Sequence, residues 1–113
     1  MNRYTEERPW GKFEQFCHNE KVTVKLITVK PASRLSLQFH YKRDEFWKVL
    51  SGNGQIILGE ELLDVFEGDE FFIPKETKHR IISKDETLEI LEISFGEFDE
   101  DDIVRLEDDF DRK

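Results

Sequence analysis

Short runs of alternating apolar and polar residues fill most of the chain, and turn-forming residues separate them. Alternation with a period of two indicates β-strands. In the run 21–30, Val22, Val24, Leu26 and Thr28 share one strand face, and Pro31 ends the run. The other predicted strands cover residues 34–40, 46–50, 55–58, 62–66, 70–73, 80–83 and 88–95. This set of short strands, with no convincing internal helix, predicts an all-β fold, an antiparallel sandwich or barrel.

Glycine-containing turns connect the predicted strands. Residues 51–54 read Ser-Gly-Asn-Gly and predict a hairpin between the strands 46–50 and 55–58. Gly59-Glu60 predicts a second tight turn. With no linker or repeat in the sequence, residues 1–113 are predicted to form one domain with a core over roughly 20–96.

The C-terminal segment 97–113 differs in composition from the rest. It holds nine acidic and three basic residues, a net charge of −6 out of −9 for the whole chain. Its acidic residues are expected to form a solvated face. Ile103, Val104, Leu106 and Phe110 give it enough apolar surface to dock, and we expect a short helix there.

Composition narrows the function classes. A hydrophobic fraction of 37% with ten Phe and two Trp is sufficient for a core. The net charge of −9 disfavours nucleic acid and anionic membranes as partners. Cys17 is the single cysteine, so no intramolecular disulfide is possible. With neither a signal peptide nor a membrane-length apolar run, a cytoplasmic location is expected.

Two of the three histidines occur in a pattern suited to metal binding. Gln38 and His40 leave the same strand face, Glu45 follows a short turn, and His79 follows Pro74. The spacings are Q-x-H-x4-E-x6-G and G-x5-P-x4-H. Imidazole, carboxylate and amide oxygen form a mixed donor set that suits one divalent ion, either Zn, Mn, Fe, Co or Ni. The alternative is a barrel that has lost its metal; the third histidine, His18, is expected at the surface.

These two spacings are those of the cupin motifs, with Gln38 in place of the usual first histidine. The resemblance implies a small jelly-roll barrel with both motifs on neighbouring strands that face its interior. Cupin barrels commonly dimerise through an edge strand, so a homodimer is expected.

A closer resemblance covers roughly residues 8 to 112. The chain resembles the C-terminal isomerase domain of the type II mannose-6-phosphate isomerase/mannose-1-phosphate guanylyltransferases. The matching segments are Arg8-Pro9-Trp10-Gly11, 27–31, Leu35-Ser36-Leu37-Gln38, Thr77-Lys78-His79-Arg80 and Glu100-Asp101-Asp102-Ile103-Val104-Arg105.

That resemblance implies metal-assisted interconversion of mannose 6-phosphate and fructose 6-phosphate, with Gln38, His40, Glu45 and His79 as ligands. The chain departs from the family in two respects. It has no nucleotidyltransferase segment, so guanylyltransferase activity is not expected. Phe46 stands where the family often has histidine, in Arg-Ala-Glu-His-Trp.

Isomerisation through an enediol also needs groups that hold the phosphate and move a proton. For the phosphate, the candidates are Arg34, Lys78 and Arg80, because Arg34 shares a strand face with Gln38 and the other two flank His79. Simple alternation puts Arg80 on the opposite face from His79, so its candidacy rests mainly on the resemblance.

The candidate catalytic residues are Arg43, in the turn between two ligands, and Glu92. Glu92 lies in an apolar strand, where burial would raise its pKa and suit it to act as a base. Lys48 and Tyr41 are further candidates for the base.

Two other functions remain open at this level. The chain could be a cupin module that binds a metal or a sugar without catalysis, which Phe46 and the missing partner domain favour. It could also be another small-molecule cupin enzyme, such as a sugar epimerase or a dioxygenase. The basic residues around the predicted site favour a phosphorylated sugar as its partner.

Overall fold

The computed structural model describes residues 1–112. This part of the chain contains eleven β-strands, joined by turns and loops, and no helix. Within that range no helix is long and apolar enough to cross a membrane. The strands are β1 Tyr4–Arg8, β2 Gly11–Gln15, β3 Val22–Val29, β4 Leu37–Phe39, β5 Glu45–Ser51, β6 Gly54–Leu58, β7 Glu61–Val65, β8 Glu70–Ile73, β9 His79–Ser83, β10 Leu88–Phe95 and β11 Val104–Glu107.

Two antiparallel sheets face each other. One has four strands in the order β3-β10-β5-β8, and the other has five in the order β11-β4-β9-β6-β7. The strands β1 and β2 pair only with each other and form a separate hairpin. The predicted all-β antiparallel architecture is therefore confirmed.

The apolar core lies between the two sheets. Alternate residues of each strand point inward, so that both sheets contribute side chains to one cluster. Its buried members are Val29, Trp47, Val49, Ile56, Val65, Ile73, Ile81, Leu88 and Ile90. On β3 the inward face carries Ile27 and Val29, whereas Val24 and Leu26 point outward and are each 56% exposed.

The predicted hairpin at residues 51–54 is wrong. β5 pairs with β10 and β8, and β6 pairs with β7 and β9, so both strands already have two neighbours. The turn instead carries the chain from one sheet to the other. Gly52 adopts a φ of +83°, and a Cβ there would lie 2.2 Å from the carbonyl oxygen of Thr87. The turn thus needs glycine for both conformation and space.

The short helix expected in the acidic tail is also wrong, because residues 104–107 form the strand β11. This strand pairs antiparallel with β4, with Val104 opposite Phe39 and Arg105 opposite Gln38. Without it, β4 would be a sheet edge with unsatisfied backbone groups. The apolar residues of the tail therefore dock as an added strand.

The N-terminal hairpin was not expected from the sequence. It lies beside the outer face of the four-stranded sheet, where Arg3 forms an ion pair with Glu70. The neighbouring Phe16 packs against Phe46, with ring centroids 5.5 Å apart. Phe46 is therefore buried on the outside of the barrel, 4% exposed, under this N-terminal segment.

Candidate metal centre

A cavity of about 520 Å³ lies between the two sheets. Its wall combines apolar side chains with charged ones. All four predicted ligands line it: Gln38 from β4, His40 from the loop after β4, Glu45 from β5 and His79 from β9. The fold thus brings four residues from separate strands and loops to one place.

Three of these residues converge closely. The Nε2 atom of His40 lies 3.4 Å from Oε2 of Glu45, and Nε2 of His79 lies 3.8 Å from Oε1 of the same carboxylate. One donor atom from each residue lies within 4.8 Å of the others, and all three residues are buried. Gln38 is the direct neighbour of His79 across β4 and β9.

Hydrogen bonds fix the orientation of both imidazoles. Nδ1 of His40 lies 2.7 Å from the carbonyl oxygen of Asp102, and Nδ1 of His79 lies 3.0 Å from that of Thr77. A carbonyl can only accept, so each Nδ1 carries the proton and each Nε2 presents a lone pair to the cavity. Burial lowers the pKa of both histidines, which favours these neutral rings.

The carboxylate of Glu45 is held from both sides. Trp47 donates its Nε1–H to Oε1 at 3.0 Å, and Arg43 donates its Nε–H to Oε2 at 2.9 Å. Nη2 of Arg43 also donates to Nε2 of His40 at 3.1 Å. The guanidinium packs over Phe98, 4.5 Å from the ring centroid. Arg43 is thus a buried cation in contact with two predicted ligands.

This donor set fits a divalent ion. Two imidazole lone pairs and a carboxylate face one another, and none of the three can donate a hydrogen bond to another. Such a cluster of acceptors can bind a divalent cation, in addition to the hydrogen bonds that Arg43 and Trp47 donate to it. The backbone carbonyls behind both rings are the outer contacts that metal-binding histidines normally have.

Glu92 lies in the same cavity, on β10, and is 7% exposed. Its Oε1 accepts a hydrogen bond from the Ser94 hydroxyl at 3.0 Å. Burial, reinforced by the nearby negative charge of Glu45, raises the pKa of Glu92 to about 7. A carboxyl group with that pKa can both accept and return a proton at neutral pH.

Two predicted phosphate contacts lie away from the cavity. Arg34 forms a two-pronged ion pair with Asp109, at 2.8 Å for both bonds, and is exposed. The chain meets β9 there only through an isolated bridge, so strict strand alternation from Gln38 does not hold. Lys78 pairs with Glu60 at 2.9 Å at the barrel surface. Neither side chain lines the cavity.

Arg80 does line the cavity and is only 2% exposed. Its Nε donates to the carbonyl of Leu35 at 2.8 Å, and its Nη1 donates to Glu107 at 3.0 Å. These contacts join β9 to the end of β11. Arg80 is therefore bonded mainly to the chain itself.

The remaining candidates lie outside the cavity. Lys48 pairs with Glu70 at 3.1 Å on the outer sheet face, and Tyr41 is exposed. His18 is exposed, as expected. Phe46 points away from the cavity, because it alternates with Glu45 and Trp47, so its replacement of histidine does not change the cavity wall.

Sequence reasoning missed three residues of the site. Asp102 accepts hydrogen bonds from the backbone N–H groups of Tyr41 and Lys42, both at 2.9 Å, while its carbonyl orients a predicted ligand. Lys25 and Arg105 line the cavity from β3 and β11. The Asp-Asp-Ile-Val-Arg run was a signal for Asp102 and Arg105. Lys25 had no such signal, because the alternation in the run 21–30 puts it on the face opposite to Val24 and Leu26.

The comparison with known families shows to which family the chain belongs. The family model described as "Mannose-6-phosphate isomerase C-terminal" matches residues 2–108. The chain belongs to this family. Among its curated relatives is the xanthan biosynthesis protein XanB of Xanthomonas campestris pv. campestris, 41% identical over 107 residues. That alignment covers 93% of this chain and 23% of XanB, so the chain spans about a quarter of the relative's length.

Solved structures place the fold among the cupins. A cupin protein from Bacteroides fragilis matches with a TM-score of 0.61 at 21% identity, covering 69% of this chain and 70% of that one. A protein from Acidithiobacillus ferrooxidans, provisionally assigned as a sugar phosphate isomerase, matches with a TM-score of 0.62 at 25% identity. It is covered to 51%, and this chain to 67%. The predicted cupin barrel is confirmed.

Proposed function

We propose that this protein is a metal-dependent sugar-phosphate isomerase that interconverts mannose 6-phosphate and fructose 6-phosphate. The observation that carries the proposal is the convergence of His40, Glu45 and His79 in a cavity that also holds Glu92. Membership of the mannose-6-phosphate isomerase C-terminal family supports the choice of substrate. A volume of about 520 Å³ is suitable for a small-molecule substrate.

In this proposal Gln38, His40, Glu45 and His79 hold one divalent ion. When bound, the ion stabilises the negative charge that develops on the sugar oxygens as the enediolate forms. The chain's own residues then have separate tasks. The two backbone carbonyls behind the histidines keep both Nε2 lone pairs directed into the cavity. Arg43, held against Glu45 and Phe98, offers a fixed positive charge beside the reacting oxygens.

Glu92 is the proposed base. Isomerisation requires that a proton leave C2 of the aldose and return to C1. A carboxyl group with a pKa of about 7 takes up and releases a proton within the neutral range, so one residue can perform both transfers. Its position on β10, opposite the ligands from the other sheet, would leave room for the sugar between them.

The test is an isomerase assay with the purified chain of residues 1–113, mannose 6-phosphate and each of Zn²⁺, Mn²⁺, Co²⁺, Fe²⁺ and Ni²⁺ in turn. Production of fructose 6-phosphate should depend on the ion and disappear in His79→Ala. The matched control is His18→Ala, which changes an exposed histidine outside the cavity. Glu92→Gln should retain the ion while turnover falls by about 10²–10⁴-fold.

Failure can take two forms. Protein that binds the ion but converts no mannose 6-phosphate would favour a binding module or another sugar substrate. Wild-type turnover in Glu92→Gln would remove Glu92 from the mechanism and leave the reaction type intact.

We also propose that the chain forms a homodimer through β3. This strand is an edge of the four-stranded sheet and exposes Val24 and Leu26, each to 56%. Light scattering should give about 27 kDa, twice the chain mass of 13.5 kDa. Leu26→Asp should yield monomer, whereas Leu62→Asp, at an equally exposed leucine on the other sheet's edge, should not. Monomeric wild-type protein would contradict the proposal.

A further inference from the structure

Four cationic side chains line the cavity, and they differ in what they contact. Arg43 is bonded to Glu45 and His40, and Arg80 to Glu107 and Leu35. Lys25 is exposed and lies over an aromatic ring. The fourth is Arg105. The set is Lys25, Arg43, Arg80 and Arg105.

Arg105 has a donor without an acceptor. Its Nε is buried and forms no hydrogen bond within residues 1–112, and it is the only buried side-chain nitrogen or oxygen in that range of which this is true. Nor does its guanidinium form an ion pair with any carboxylate there, in contrast to Arg80 and Arg43. Buried donors in proteins are nearly always satisfied by protein or by water, so this one is available to an acceptor that enters the cavity.

The position of Arg105 relates it to the metal centre. Arg105 on β11 is opposite Gln38 on β4, and Gln38 is opposite His79 on β9. Directly opposed residues in antiparallel strands project from the same sheet face. The three residues therefore form a row on one face of the sheet, in which Arg105 is two strand spacings, roughly 10 Å, from His79.

A hexose phosphate whose C1 and C2 oxygens lay at the metal centre could extend its other end along such a row. The phosphate is at the opposite end of the sugar from C1 and C2. A guanidinium is well suited to the phosphate because its planar fork donates two parallel hydrogen bonds. Arg34 and Lys78 cannot take this role from the outer surface.

We propose that Arg105 binds the phosphate group of the substrate. The neighbouring Arg80 is already bonded to Glu107, two residues after Arg105 on β11. The inference rests on the proposed function in taking a phosphorylated sugar as substrate. Glu100 and Asp101 also line the cavity, but they are exposed at its rim, where solvent weakens their repulsion of an anion.

The experiment measures binding rather than turnover. Calorimetry on the metal-loaded chain compares mannose 6-phosphate with mannose for wild type, Arg105→Met and the matched control Arg34→Met, an exposed arginine paired outside the cavity. Wild type and the control should prefer the phosphorylated sugar. Arg105→Met should lose that preference by about tenfold or more, with its metal content unchanged.

A second variant covers the case in which Arg105→Met fails to fold. Arg105→Lys keeps the charge and the stem but lacks the planar fork, so its preference should fall between those of wild type and Arg105→Met. The proposal is overturned if wild type does not distinguish the two sugars, or if Arg105→Met retains the preference. It is equally overturned if Arg105→Met does not fold and Arg105→Lys binds as wild type does.

The outcome separates this inference from the isomerase proposal. If the preference depends on Arg105 while wild-type protein converts no mannose 6-phosphate, the phosphate site stands and the isomerase activity does not. If turnover occurs and is insensitive to Arg105→Met, the isomerase proposal stands and the phosphate is held elsewhere.

Discussion

Replacing Glu92 by Gln should stabilise the metal-free protein, and only above about pH 5. The residue is 7% exposed, and burial raises its pKa from the ordinary 4.5 to about 7. The folded state therefore holds a proton that the unfolded state releases between these two pH values. Stability consequently falls as the pH rises through this window, and the penalty is complete above pH 7. Glutamine is neutral at every pH and has no such penalty.

The size of the effect follows from the two pKa values. A difference of about 2.5 pKa units corresponds to about 3 kcal/mol at pH 8, at about 1.36 kcal/mol per unit. At pH 5 most of the penalty is absent, and the same relation gives less than about 1 kcal/mol. Glu92→Gln should therefore be more stable than wild type by about 3 kcal/mol at pH 8 and nearly equal to it at pH 5.

Urea denaturation of the metal-free protein at both pH values measures this difference. The matched control is Glu86→Gln, at an exposed turn position before β10, which should change stability by less than about 0.5 kcal/mol at either pH. An equal stability change in Glu92→Gln at pH 5 and pH 8 would refute the reasoning. So would a carboxyl pKa near 4.5 for Glu92 in an NMR titration.

Three further predictions concern metal binding and the stability of the fold. Asp102→Asn should weaken metal affinity by about 10–100-fold in a chelator competition, whereas Asp101→Asn, its exposed neighbour, should not. Gly52→Ala should cost more stability in urea than Gly68→Ala, since both have positive φ but only Gly52 would place its Cβ against backbone; equal costs would contradict the clash. Added Zn²⁺ should raise the melting temperature of wild type with increasing concentration and leave that of His79→Ala unchanged, as expected for an ion that binds the folded state alone.

Local sequence determined the class of the fold and the composition of the candidate ligand set. The alternation in runs such as 70–73 and 88–95 specifies strands wherever one face must be buried, and observed β8 and β10 have those bounds. The spacing of Gln38, His40, Glu45 and His79 matches the two cupin motifs, and that resemblance was what grouped them as one ligand set. The alternation is a property of neighbouring residues, whereas the grouping of the two motifs came from the resemblance.

Pairing between distant strands was decided only by the tertiary structure. Glu45 lies beside His40 across the barrel and not along a shared hairpin, because β4 and β5 belong to different sheets. The apolar residues of the tail suit a helix or a strand equally well, and the unpaired edge of β4 selected the strand. The same pairing brought Arg105 into the cavity, while the irregular chain before β4 left Arg34 outside it. Backbone hydrogen bonds between residues far apart in sequence settle such choices, and local periodicity carries no information about them.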